Sequence, residues 1–249
     1  MNATMAPTLA KRLQAVRETI AAACARTGRA LDSVTLLAVS KTQPVETVLE
    51  AIACGQFNFG ENRIEEALQK IAAVKAHSPQ AAHWHMIGHV QSRKAHDVVG
   101  PFDLTHSLDS LKLAERYSRF AVEHGQTIRV LLETNVSGEA SKEGFDASGW
   151  EDNHAKRESL WNDISRIIEL PALQVTGLMT MAPIVANMEQ TRPIFTNVRK
   201  LRDALQADFP KADWSQLSMG MTDDYPIAIE EGATIARVGR AIFGPRQNT

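Results

Sequence analysis

Only two of the 249 residues are cysteine, Cys24 and Cys54, too few for a disulfide framework. Each sits in a helical, Ala-rich setting and reads as a small buried hydrophobe of a reducing compartment. Basic residues are no commoner than acidic ones: Lys+Arg 27 against Asp+Glu 29 leaves a formal charge of -2, and no stretch gathers them into a stripe that could follow a phosphate backbone. Nucleic acid is not an expected partner. The start, MNATMAPTLAKRLQAVRETI, lacks the continuous apolar core of a signal peptide, so the chain is expected to be cytoplasmic. The longest uncharged run, Leu170 to Met188, is broken by Pro171, Gln174, Gly177, Pro183 and Asn187; it reads as a buried strand and a loop, not a membrane span. Repeats and low-complexity tracts are absent, and the polar segment from Asp146 to Glu158 is too short to join domains. One domain over 1–249 is the expectation, most simply as a monomer.

What is present is a regular alternation. Leu9, Leu13, Val16, Ile20 and Ala23 recur at helical spacing, closed by Gly28, and Val34 to Val39 is a short apolar run rich in β-formers. Pro44 is expected at the first position of a helix that Gly55 ends. Strands follow at 57–59, 84–87, 103–106, 128–135, 173–180, 215–219 and 234–238, with helices at 61–75, around 92–98, and at 109–124, 156–169, 191–207 and 223–231 between them. Eight strand–helix units imply parallel pairing and a closed α/β barrel of the (β/α)₈ TIM type, preceded by an extra N-terminal helix. A doubly wound open sheet is the competing architecture. It is disfavoured because Val39-Ser40-Lys41-Thr42 stands where a G-x-G-x-x-G turn would follow the first strand.

A barrel carries its chemistry at the C-terminal ends of its strands. The first strand ends in Lys41, where burial lowers an ammonium pKa and suits a Schiff-base amine; the plain alternative is a lysine reaching for solvent. At the last two strand ends, Ser218 with Gly220 and the Gly239-Arg240 turn offer a hydroxyl and close backbone N–H groups for a phosphate, although glycines there also make ordinary tight turns. Since the eighth strand closes on the first, a phosphate at that turn lies about 5–10 Å from the Lys41 backbone, a gap pyridoxal phosphate would span. Arg237 stands between them, where a guanidinium at the pyridine nitrogen would weaken the ring as an electron sink.

The blocks AVSKT (38–42), FGEN (59–62), WHMIGHVQ (84–91), NVSGEASKEGF (135–145), GLMTM (177–181), LSMGMTDD (217–224) and RVGRAIFG (237–244) resemble, in order, the signature blocks of the pyridoxal phosphate homeostasis protein family. The resemblance spans about residues 9 to 246. It implies a barrel like the N-terminal domain of alanine racemase, with pyridoxal 5'-phosphate as cofactor. Lys41 would form the aldimine, Ser218 and Gly239-Arg240 would hold the phosphate, Arg237 would face the ring nitrogen, and Asn62 would lie near the ring. It further implies cofactor storage, carriage or supply to apo-enzymes rather than turnover. Arg240 departs from the Thr or Ser usual in the family, as do Glu65 and Arg93 from Gln and Asn.

Two other functions compete. An amino acid racemase on the same cofactor needs a base on the ring face opposite Lys41, and neither Tyr117 nor Tyr225 is an obvious one. A sugar-phosphate aldolase using Lys41 would account for the phosphate turn but not for Arg237. His83, His85 and His89 lack a Cys or carboxylate nearby in sequence and read as strand packing, so no metal is expected. Glu61 and Asp223-Asp224 read as helix caps.

Overall fold

The computed structural model describes residues 7–139 and 141–245. Ala140 of the 135–145 block and the ends of the expected 1–249 domain lie outside them. The first helix, α1 (Leu9–Arg26), is capped by Thr8, whose hydroxyl accepts from the Lys11 amide, and buries Leu9, Leu13, Val16, Ile20, Ala23 and Cys24. It ends as its glycine requires. Gly28 takes φ 66°, and the Arg29 amide turns back to the Cys24 carbonyl at 2.9 Å.

The chain then alternates through β1 (Thr35–Val39), α2 (Val45–Ala53), β2 (Asn58–Glu61), α3 (Ile64–His77), β3 (His83–Met86), β4 (Leu104–Leu108), α4 (Leu111–Glu123) and β5 (Ile128–Asn135). It continues through β6 (Phe145–Asp146), α5 (His154–Ile168), β7 (Leu173–Met179), α6 (Arg192–Asp208), β8 (Gln216–Ser218), α7 (Tyr225–Glu230), β9 (Ile235–Val238) and α8 (Arg240–Phe243). All pairings are parallel, β9 closes on β1, and β4 pairs with β5, so eight strands form a ring and β6 hangs on the outer part of β5. This is the (β/α)₈ barrel with its N-terminal helix; closure removes the open-sheet alternative. Among the described residues no helix is long and apolar enough to cross a membrane.

Several local expectations are corrected. Pro44 is the residue before α2 rather than its first, and the segment at 92–98 is a 3₁₀ turn, Ser92–Asp97. The 146–158 stretch is more than a surface loop: Trp150 is buried in it, and α5 begins at His154. Glu61 opens no helix. It ends β2, and α3 starts three residues later.

Most of the apolar core lies between the strands and the surrounding helices, while Leu37, Leu104, Leu131, Met179 and Ile235 make a separate cluster inside the ring. Because strand side chains alternate, the inward positions two residues further along include His106, Glu133 and Arg237, beside Val39. An apolar floor therefore gives way to a polar layer toward the mouth. Lys41 and Gly239 follow one step above.

Candidate functional site

Register brings three of the expected site positions together. Ala38 pairs with Val238 and with Phe59, and Val39 with Gly60, so the ends of β1, β2 and β9 lie side by side, with Lys41 between Asn62 and the Gly239-Arg240 turn. A Cβ on Gly239 would stand 3.4 Å from that of Val39. Asn62 is held from beneath by Gly88, where any side chain would approach the Asn62 carbonyl oxygen to 2.3 Å. The Asn62 Oδ1 is buried and has no hydrogen-bond partner among the described residues. It is an acceptor awaiting a donor.

The turn bearing Lys41 is gripped from both sides. Thr42 has φ 63°, an outlier for a β-branched residue that costs on the order of 1–3 kcal/mol, and its amide donates to Glu66 Oε1 at 2.6 Å. Ser40 donates its hydroxyl to Glu61 Oε1 at 2.6 Å, and the Ser40 carbonyl accepts from Lys70 Nζ at 2.8 Å. The same ammonium donates to Glu61 at 2.7 Å and Glu66 at 3.0 Å. Burial pushes the Glu61 carboxyl above its usual range although Lys70 pulls the other way. The Glu61 position thus serves the Lys41 turn rather than a helix end.

On the β8–β9 side, Arg237 is buried and donates to the Ser218 carbonyl at 2.7 Å, to Ser218 Oγ at 2.6 Å and to the Thr180 carbonyl at 2.8 Å. Burial lowers its pKa to about 10, which still leaves it cationic at neutral pH. Ser218 Oγ also meets His106 Nδ1 at 2.9 Å, and His106 Nε2 meets His85 Nδ1 at 2.9 Å. Since a guanidinium only donates, Ser218 has two options. It gives its hydroxyl hydrogen to a His106 deprotonated at Nδ1, or it accepts from Arg237 and His106 alike and keeps that hydrogen for a ligand. A phosphate role requires the second. Gly220, at φ 88°, has no room for a side chain, since a Cβ would lie 2.6 Å from that of Ala228. Asp224 stands before the first residue of α7, but its carboxylate does not cap the helix as expected: it takes the Met221 amide at 2.6 Å and so ties the turn, while Asp223 pairs with Arg240 at 2.5 Å.

Across the mouth lies a cluster that local spacing does not reveal. His89 Nδ1 is 3.0 Å from Asp109 and 2.9 Å from Glu143, residues supplied by the segments after β3, β4 and β5, and the three ligand-type atoms lie within 4.8 Å of one another. Carboxylates therefore do accompany two of the three histidines, His89 and His83. His83 meets Asp103 at 3.4 Å, and His85 is buried. Glu133 is buried close by, its pKa raised to about 7 first by burial and then by Asp109 and Glu143. Both tyrosines are buried, Tyr117 in α4 and Tyr225 at the start of α7.

Residues 12–247 match the family model of the alanine racemase N-terminal domain. A pyridoxal phosphate homeostasis protein of Aquifex aeolicus is 40% identical over 237 residues, 95% of this chain and 98% of that one. The chain belongs to this family. Its barrel also superposes on the structure of PipY from Synechococcus elongatus with PLP bound, at TM-score 0.80 and 34% identity, covering 95% of this chain and 100% of that one. An alanine racemase of Clostridium difficile shares the fold alone, at TM-score 0.68 and 12% identity over 96% of this chain and 58% of the racemase. Of the departures from the family pattern, Arg240 is matched by Asp223, Glu65 pairs with Lys94 and Arg93 donates to Gln91 at 3.0 Å. All three have partners among this chain's own residues.

Proposed function

We propose that this chain binds pyridoxal 5'-phosphate through a Schiff base to Lys41 and acts in intracellular cofactor homeostasis, storing it or supplying it to apo-enzymes, without turnover of its own. The observation that carries the reading is the register of β1 against β2 and β9, which sets Lys41 between Asn62 and the Gly239-Arg240 turn. The residues fit the group. Lys41, half-buried, offers an amine to an aldehyde, a ring substituent would satisfy the unpartnered Asn62 Oδ1, and phosphate oxygens would meet Ser218 and the backbone of Gly239 and Arg240. When bound through a lysine, pyridoxal phosphate supplies an activated imine and an electron-accepting ring.

The chain's own groups favour holding over turnover. Arg237 stays cationic and is fixed by three hydrogen bonds, so a ring nitrogen facing it would remain unprotonated. Neither tyrosine is available as a base at the mouth, and loss of a general base alone typically costs 10²–10⁴ in rate. The acidic wall of Glu133, Asp109 and Glu143 would also repel the carboxylate of an incoming amino acid. We place this activity in the cytoplasm, in a monomer acting as a single domain over 1–249.

The test combines three measurements on the purified protein. Borohydride should fix the cofactor on Lys41 by mass mapping, and Lys41→Ala should abolish both adduct and visible band. Cofactor should pass to an apo-transaminase. Solvent deuterium should enter Cα of alanine far more slowly than about 1 s⁻¹, the lower end of ordinary turnover. Exchange at that rate, lost in Lys41→Ala, would replace the carrier by a racemase.

A further inference from the structure

Lys70 is buried on α3 and divides its ammonium hydrogens among the Ser40 carbonyl, Glu61 and Glu66. Burying such a group is expensive, and well-packed apolar residues usually stabilise a fold as well or better. Stability alone therefore gives no reason for the cluster. What it touches does: Ser40 and Thr42, the two neighbours of Lys41, are both tied to it, Ser40 through its hydroxyl and carbonyl and Thr42 through its amide. Thr42 is held at φ 63°, a conformation that persists only where the surroundings enforce it.

We infer that Lys70, Glu61 and Glu66 are positioning residues for Lys41, a charged clamp that keeps the 40–42 turn in its strained form and so keeps the Lys41 amine aimed for bond formation. This rests on the reading of Lys41 as the cofactor-bearing amine. The bond between an amine and an aldehyde forms from the neutral amine with release of one water, so its rate depends on how often Nζ is neutral and how often it is aimed. The two contributions separate experimentally. Charge acting through space would raise the Lys41 pKa in Lys70→Met and lower it in Glu66→Gln, moving the pH midpoint of the reaction in opposite directions. Loss of aim lowers the rate of both variants at high pH, where the amine is already neutral.

The experiment mixes apo-protein with pyridoxal phosphate and follows the visible band from pH 6 to 10 in wild type, Lys70→Met, Glu66→Gln and Val198→Ala, with borohydride trapping to map the labelled lysine. Val198, buried on α6, is a core truncation on a helix that packs against β7 and α7, away from β2 and α3. Lys70→Met and Glu66→Gln should both react about tenfold or more slowly on the high-pH plateau, the factor one lost charge-assisted hydrogen bond carries, while Val198→Ala reacts as wild type despite its lower stability. Should Lys70→Met fail to fold, Glu66→Gln decides, because Glu66 is half-buried and the change is isosteric. Wild-type plateau rates in folded Glu66→Gln, or midpoints that shift in opposite directions with plateaus unchanged, would overturn the clamp. Absence of label on Lys41 in the wild type would instead overturn the cofactor reading on which it rests.

Discussion

Glu61 and Glu66, on the β2–α3 side of the barrel mouth, meet a buried ammonium; Asp109 and Glu143, on the β4–β5 side, meet one partly exposed imidazole, and Glu133 lies buried beside them. On the first side, charge is spent on geometry, since every bond of the cluster reaches the Lys41 turn or an acid that does. On the second side, charge stays pH-dependent: burial and the neighbouring Asp109 and Glu143 carry the Glu133 pKa up to about 7 against the pull of Arg237 and His89. The same residue type, placed about the same opening, is rigid on one wall and poised on the other.

Removing the ammonium should break the contrast most strongly. Lys70→Met leaves Glu61 buried without its cation, and loss of one partner of a buried pair costs about 3–5 kcal/mol. Urea unfolding should register that loss, and Lys70→Met/Glu61→Gln should recover most of it. A double variant no more stable than the single one would show that Glu61 is not what Lys70 neutralises.

Two titrations of similar size and opposite sign sharpen the comparison. Burial lowers His85 to about 4, and lowers His106 well below its usual value, so between pH 6.5 and 4 the unfolded chain binds more protons than the fold. That stability is present above the unfolded pKa and is lost as pH falls, by up to about 3 kcal/mol for His85. Glu133, raised to about 7, works in reverse: the fold binds the extra proton, and its contribution is present below about 4.5 and lost as pH rises through 7. Glu133→Gln should therefore raise the unfolding free energy at pH 8 by up to about 3 kcal/mol and leave pH 4 unchanged, whereas His85→Asn should flatten the acid limb. Equal shifts at both pH values in Glu133→Gln would remove the titration from the account.

The barrel was legible because each strand is an apolar run followed by a helix-spaced pattern, and Lys41, Asn62 and Gly239 each stand just past such a run. Where the sequence misled, the deciding contact was not local. Glu61 looks like a helix cap because α3 starts nearby; only the fold brings Lys70, nine residues on, back under β2. His89, Asp109 and Glu143 follow three different strands, so no spacing marks them, and β6 is too short for any periodicity. The paired hydroxyl and imidazole of Ser218 and His106 are likewise joined across the barrel by β4 and β8.

That last pair bears on cofactor affinity. Ser218→Ala should weaken cofactor binding about tenfold, the value of one charge-assisted hydrogen bond, with the fold retained. The phosphate role also requires His106 to carry its proton on Nδ1. Imidazole ¹⁵N shifts of the loaded protein report that tautomer directly, and a proton on Nε2 together with unchanged affinity in Ser218→Ala would transfer the phosphate to the backbone donors alone.

The smallest effect should come from Arg240→Thr, which restores the residue commoner in the family. Arg240 is largely exposed and already paired with Asp223, itself exposed, at 2.5 Å. Such surface pairs contribute about 0–1 kcal/mol, and a surface change away from caps and core stays within about 0.5 kcal/mol, so the denaturation midpoint should hardly move. Cofactor affinity should fall by less than about threefold, because Asp223 cancels most of the charge that Arg240 presents to a phosphate and salt screens the remainder. Titrations at low and high ionic strength test this. A drop of tenfold or more that vanishes in high salt would mean that Arg240 leaves Asp223 for the ligand, and the mouth would then have a third region, mobile and cationic, set against both acidic walls.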